Sequence, residues 1–142
     1  MPNSAATQGT FFVYSTLLIT AMLAGGCQSR AAGPTDPSQT HTGGGVTIKA
    51  TYINPGSGEG PRFLVTLETH SVDLDGYDLK NLSVLRDETG KTFLPTAVEN
   101  EGAGHHRRVT IRFPKPAASA GSADLVILNV AGVAERVFHW DL

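Results

Sequence analysis

The chain has 142 residues and a formal net charge of −2. That length suits one domain with one core, and the near-neutral balance excludes the basic footprint of a nucleic-acid binder. The single cysteine excludes an internal disulfide, so the folded part must hold together by packing.

Every Lys, Arg, Asp and Glu lies after Cys27. Phe11 to Ala24 is an apolar run broken only by scattered Ser and Thr. It fits the core of an export signal and falls short of the ~20 residues needed to span a bilayer. The run ends in Leu23-Ala24-Gly25-Gly26-Cys27, and Gly25-Gly26 would break any helix continuing from it. This stretch resembles the signal peptide of bacterial lipoproteins, in which Leu and two small residues precede a cysteine. Two features differ from the usual pattern. Met1 to Thr10 carries no Lys or Arg, and the leucine sits one place further from the cysteine. The resemblance implies cleavage before Cys27 and acylation of that residue. Gln28 in place of Asp implies the outer membrane, at its periplasmic face, in a Gram-negative cell. Two or more acyl chains would make such anchoring effectively permanent.

Ser29 to Gly45 is mostly Ser, Thr, Gly, Pro and Ala, with almost no large apolar side chain. Such a stretch buries too little surface to offset its ordering entropy, so a flexible tether is expected. The expected organisation is a signal peptide over 1–26, a lipidated cysteine and tether over 27–45, and a folded domain over 46–142.

Seven short extended runs follow. Val46, Ile48, Ala50 and Tyr52 alternate with Thr47, Lys49 and Thr51, the period of a half-buried strand. Asn54-Pro55-Gly56-Ser57-Gly58 ends that run. Arg62 to Ser71 places Phe63, Val65 and Leu67 on one face. Asp73 to Lys80 is a polar turn region. Asn81 to Asp87 and Lys91 to Val98 flank Glu88-Thr89-Gly90, a hairpin signal, and Pro95 argues for an edge position. Arg108 to Phe113 sets Val109, Ile111 and Phe113 against Thr110 and Arg112. Ala123 to Ala131 and Glu135 to Asp141 are joined through Gly132, with Trp140 as a core anchor. No stretch keeps helical spacing. The expectation is all-β: an antiparallel immunoglobulin-like β-sandwich of about seven strands, with a small barrel as the rival.

Three groups of polar residues could carry function. His70 ends the second run, and His105 and His106 precede the fifth. Strand ends gather at the poles of a sandwich, so the three imidazoles could meet and bind copper or zinc, with Asp73 or Asp75 completing the shell. Adjacent histidines on an extended chain point to opposite faces, which favours a plain polar loop. Asp73, Asp75 and Asp78 around Gly76 could face Ca2+, but the pattern lacks the closing glutamate of an EF-hand, and an Asp/Gly turn explains it. Arg62, Arg107, Arg108 and Arg112 could form a basic patch or simply a solvated sheet face. No nucleophile setting, phosphate loop or CxxC is present. The sequence therefore leads to a non-catalytic, lipid-anchored envelope module that contacts another envelope protein, with a metal-binding periplasmic protein as the alternative and an enzyme last.

Overall fold

The computed structural model describes residues 37–53, 58–115 and 121–142. The leader, Cys27, the tether as far as residue 36, and residues 54–57 and 116–120 lie outside the described residues. Among the described residues nine strands follow one another: β1 (Ser38–Gly43), β2 (Val46–Ile53), β3 (Arg62–Thr69), β4 (Ser83–Asp87), β5 (Thr92–Phe93), β6 (Ala97–Glu101), β7 (His106–Arg112), β8 (Ser122–Val130) and β9 (Val133–Asp141).

They form two antiparallel sheets, ordered β1-β2-β3-β7-β6 and β5-β4-β8-β9. Without β1, the order is the A-B-E-D sheet facing C′-C-F-G of immunoglobulin-like sandwiches. The expected fold class therefore holds, with more strands than the seven runs.

Alternation builds the core. Val46, Ile48 and Ala50 of β2, Phe63, Val65 and Leu67 of β3, and Val109 and Ile111 of β7 turn inward. They meet Leu85 of β4, Ala123, Leu125 and Ile127 of β8, and Phe138 and Trp140 of β9. Trp140 is 1% exposed and packs against Phe63 with ring centroids 5.0 Å apart. Such burial supplies the main driving force where no disulfide can.

Two boundaries differ from the sequence reading. The last part of the expected tether, Ser38–Gly43, is strand β1, hydrogen-bonded along β2 from Ser38↔Thr51 to Gly43↔Val46. It has no apolar side chain, so hydrophobic periodicity cannot reveal it. The fourth run is two strands. β5 pairs with β4 in one sheet and β6 with β7 in the other, and buried Pro95 lies in the crossover between them. Both pieces are sheet edges, as a proline lacking a donor requires.

Two hairpins turn in two residues. Gly44 and Gly45 have φ of 61° and 77°, and Ala131 and Gly132 have 51° and 73°. Both central residues at positive φ make each a type I′ turn, whose twist matches its strands. The turns touch: a Cβ on Gly44 would lie 1.9 Å from the Ala131 carbonyl oxygen.

The strand directions separate two poles. The β1–β2 and β8–β9 turns, the long β3–β4 segment over residues 70–82 and the β6–β7 turn over residues 102–105 share one end, the loop pole. Ser38, the hairpin turn at residues 88–91 and the last residue, Leu142, share the other, the root pole.

Candidate functional site

The loop pole collects most of the residues singled out in the sequence. The register Glu68↔His106 and the Thr69 N–H to His105 carbonyl bond (3.1 Å) bring His70, His105 and His106 to this one end. All three are exposed. His70 and His106 line one shallow groove of about 240 Å3 with Thr42, Gly45, Thr47, Glu68 and Thr69. His105, Asp73 and Asp75 do not line it. Among the described residues no three His, Cys, Asp or Glu side chains come together as a metal shell would require. The expected ligand set of His70, His105, His106, Asp73 and Asp75 is therefore spread over one pole rather than converged.

The aspartates are occupied by the backbone. Asp73 Oδ1 accepts the Asp75 N–H at 3.0 Å, and Asp75 Oδ1 accepts the Gly104 N–H at 2.9 Å. Asp78 accepts the Lys80 N–H at 3.0 Å and the Asn81 amide at 2.6 Å. These are the turn-stabilising bonds that short acidic side chains make, and they explain the Asp/Gly spacing without calcium.

The basic patch dissolves into separate roles. Arg62 pairs with Glu59 at 2.9 Å and Arg112 with Glu99 at 3.1 Å. Arg108 faces solvent. Arg107 is 8% exposed and points inward. Its Nη1 donates to the carbonyls of Leu74 (2.8 Å) and Tyr77 (2.6 Å). Its Nη2 and Nε donate to Asn100 Oδ1 at 2.6 and 3.2 Å. One planar fork thus ties the β3–β4 segment to β6 and β7.

A second buried guanidinium does the same for the two tight turns. Arg136, 2% exposed, donates from Nη1 to the Val130 carbonyl (2.9 Å) and from Nη2 to the Gly43 carbonyl (2.7 Å). Burial pushes its pKa down from the ordinary guanidinium value, against an opposing influence from Tyr77. That value starts so high that the group stays charged at neutral pH. Four further bonds complete the frame. Thr69 Oγ1 donates to the Gly45 carbonyl at 2.8 Å and accepts the Ser71 and Val72 N–H groups at 3.2 Å. The Tyr77 hydroxyl accepts the Ala131 N–H at 3.0 Å. Leu74 and Leu79 pin the long segment into the core.

Sequence reasoning placed Arg107 on the surface. The signal was present: Arg107 shares the parity of inward Val109, Ile111 and Phe113, as Arg136 shares that of Phe138 and Trp140.

A second polar cluster covers the outer face of the four-stranded sheet. Arg86 bonds Asp124 Oδ2 through Nη2 at 3.1 Å and Glu135 through Nη1 at 3.2 Å. His139 Nδ1 lies 2.7 Å from Asp124 Oδ1, and its Nε2 lies 3.8 Å from Asp141. Arg86, Asp124, His139 and Ser122 line a groove of about 240 Å3. Both imidazole nitrogens face carboxylates, so neither is bonded to a nucleophile. This is a row of cross-strand polar contacts and Arg86 ion pairs on a half-solvated face, where each contributes little.

No helix among the described residues is long and apolar enough to cross a membrane. Compared with protein-family models, curated proteins and solved structures, the chain matches none.

Proposed function

We propose that the chain is a lipid-anchored cell-envelope protein whose β-sandwich is a non-catalytic recognition module, with the loop pole as its binding surface. One observation carries the reading: the loops of that pole are fastened from beneath by Arg107 and Arg136. A surface ordered in advance loses less entropy on binding, which is how a rigid scaffold makes its loops useful for recognition. The B–C and F–G loops used for binding in other sandwiches of this order are the β3–β4 and β8–β9 connections here. That correspondence is a fold-level analogy. The histidine reading for copper or zinc brings two imidazoles to one groove, with no third ligand converging among the described residues, and ranks second.

Two experiments test the two halves. Mass spectrometry of the native product should find Cys27 as an acylated amino-terminal residue; an intact leader with a bare thiol refutes the anchor. A photo-crosslinking residue placed at exposed His105 should capture a discrete envelope protein in the native cell, whereas one at Glu88, on the root pole, should not. Equal capture at both poles, or none at His105, refutes the recognition pole.

A further inference from the structure

Two open sheets have four edges, and each edge is a row of backbone groups to be paired, covered or guarded. Two of them close on each other. The Gln39 side chain of β1 meets both backbone groups of His139 on β9, donating to its carbonyl and accepting its N–H at 3.1 Å. Arg136 of β9 holds the Gly43 carbonyl of β1 at 2.7 Å. The third edge, β5, is two residues long and ends two positions before Pro95. The fourth is β6. It pairs with β7 over Ala97–Glu101, and among the described residues no strand pairs with its other side and no loop backbone bonds to it. The side chains of β6 divide by parity. Ala97, Glu99 and Glu101 stand opposite Arg112, Thr110 and Arg108 of β7 on the outer face, and Glu99 reaches Arg112 at 3.1 Å. Val98 turns the other way and packs against the core. Leu94, in the crossover that leads into β6, is 69% exposed, more than any other large hydrophobic residue among those described.

We propose that β6 is a docking edge for one extended strand of another protein, a strand with lysine or arginine on its outer face and aliphatic residues between them. Strand addition to an open edge draws affinity from the backbone ladder and choice from the side chains that alternate along it. Charge selects the occupant. An added strand sets its outer-face residues beside Glu99 and Glu101, and opposite charges across a strand pair are favourable where like charges are not. A second copy of β6 would bring carboxylates against carboxylates, so the edge rejects its own kind. The two glutamates thus guard the edge against copies and acidic strands while leaving it open to basic ones. Apolar surface points to the same occupant. The inner-face residues of the added strand come beside Val98, where an aliphatic side chain would lengthen the core by one column. Leu94, close by in the chain, is the exposed apolar group that such a strand could cover.

The test uses the full chain and labelled synthetic heptapeptides. A peptide of alternating lysine and valine should bind about tenfold or more tighter than one of alternating glutamate and valine. Glu99→Lys with Glu101→Lys should reverse that order, and both side chains are exposed, so the fold is kept. The lysine peptide methylated at every backbone nitrogen keeps its charges but loses its ladder donors, and it should bind about tenfold or more weaker than the unmethylated one. Addition of the unmethylated lysine peptide should shift the amide NMR signals of Ala97–Glu101. Equal binding of the lysine and glutamate peptides, binding of neither, or an order that the double replacement leaves unchanged overturns the proposal. Full affinity of the methylated peptide also overturns it, because charge attraction alone would then account for binding. So does sedimentation of the free chain as a dimer that the lysine peptide dissociates, because the occupant would then be a second copy.

Discussion

Replacing Arg107 by alanine isolates what fastens the loop pole. The guanidinium serves three acceptors: the Leu74 and Tyr77 carbonyls and the Asn100 amide oxygen. Leaving a buried acceptor unpaired costs about 1–3 kcal/mol, and a bond to a charged donor lies at the upper end of that range. The Leu74 carbonyl bond is buried, while those to Tyr77 and Asn100 are half-buried and open to water once the side chain is gone. The sum comes to about 3 kcal/mol. Arg108 is the matched control, one residue on and exposed, where alanine should cost no more than ~0.5 kcal/mol. Urea unfolding followed by the fluorescence of Trp140 reads both variants. At a slope of about 1–1.5 kcal/mol per molar, Arg107→Ala should lower the midpoint by roughly 2–3 M with the slope unchanged. Amide exchange over residues 70–82 should accelerate before the strands yield. Equal midpoints for Arg107→Ala and Arg108→Ala would show that the segment is held by Leu74 and Leu79 alone, and the reasoning would fail.

Gly44→Ala should destabilise by about 2 kcal/mol or more, because strain at positive φ adds to a clash with the Ala131 carbonyl. Gly90→Ala meets open space at φ 83°, so thermal unfolding should show a loss of only ~1 kcal/mol there. The Asp87 carboxyl is held below its ordinary value, first by the Thr89 hydroxyl; burial opposes this, and the Lys91 and Thr89 N–H groups and the Lys91 charge add to the lowering. A depressed carboxyl stabilises the fold above its unfolded value and loses that contribution as pH falls through its folded one. The β4–β5 turn should therefore loosen below about pH 4, and Asp87→Asn should flatten that part of the acid titration followed by NMR. Asp124→Asn, which removes the charge shared by Arg86 and His139, should cost no more than ~1 kcal/mol in urea because the cluster is partly solvated.

The strands were legible wherever apolar and polar residues alternate. Phe63, Val65 and Leu67, and Val109, Ile111 and Phe113, identify their own inward faces. The hairpin at Glu88-Thr89-Gly90 and the turn at Gly132 were written in turn chemistry. What escaped was polar residues whose partners lie far along the chain. Gln39 and His41 read as tether because their partners, the His139 backbone and the Phe138 ring, lie 97 or more positions along the chain. Arg107 read as surface charge although its parity matches the inward row, because burial of a guanidinium depends on carbonyls from other loops. The division of the fourth run between two sheets is likewise a tertiary fact, and Pro95 marked its place without its meaning.

The partners of the two inward guanidinium groups are oxygen atoms that carry no net charge: four main-chain carbonyls and one carboxamide. None of them takes up a proton in the range where carboxylates titrate, and none relies on a counter-charge that dissolved electrolyte could shield. The hold of Arg107 and Arg136 on those loops should therefore persist through acid and brine. For the recognition module proposed above, those two fastenings would keep the loops in form when the medium changes.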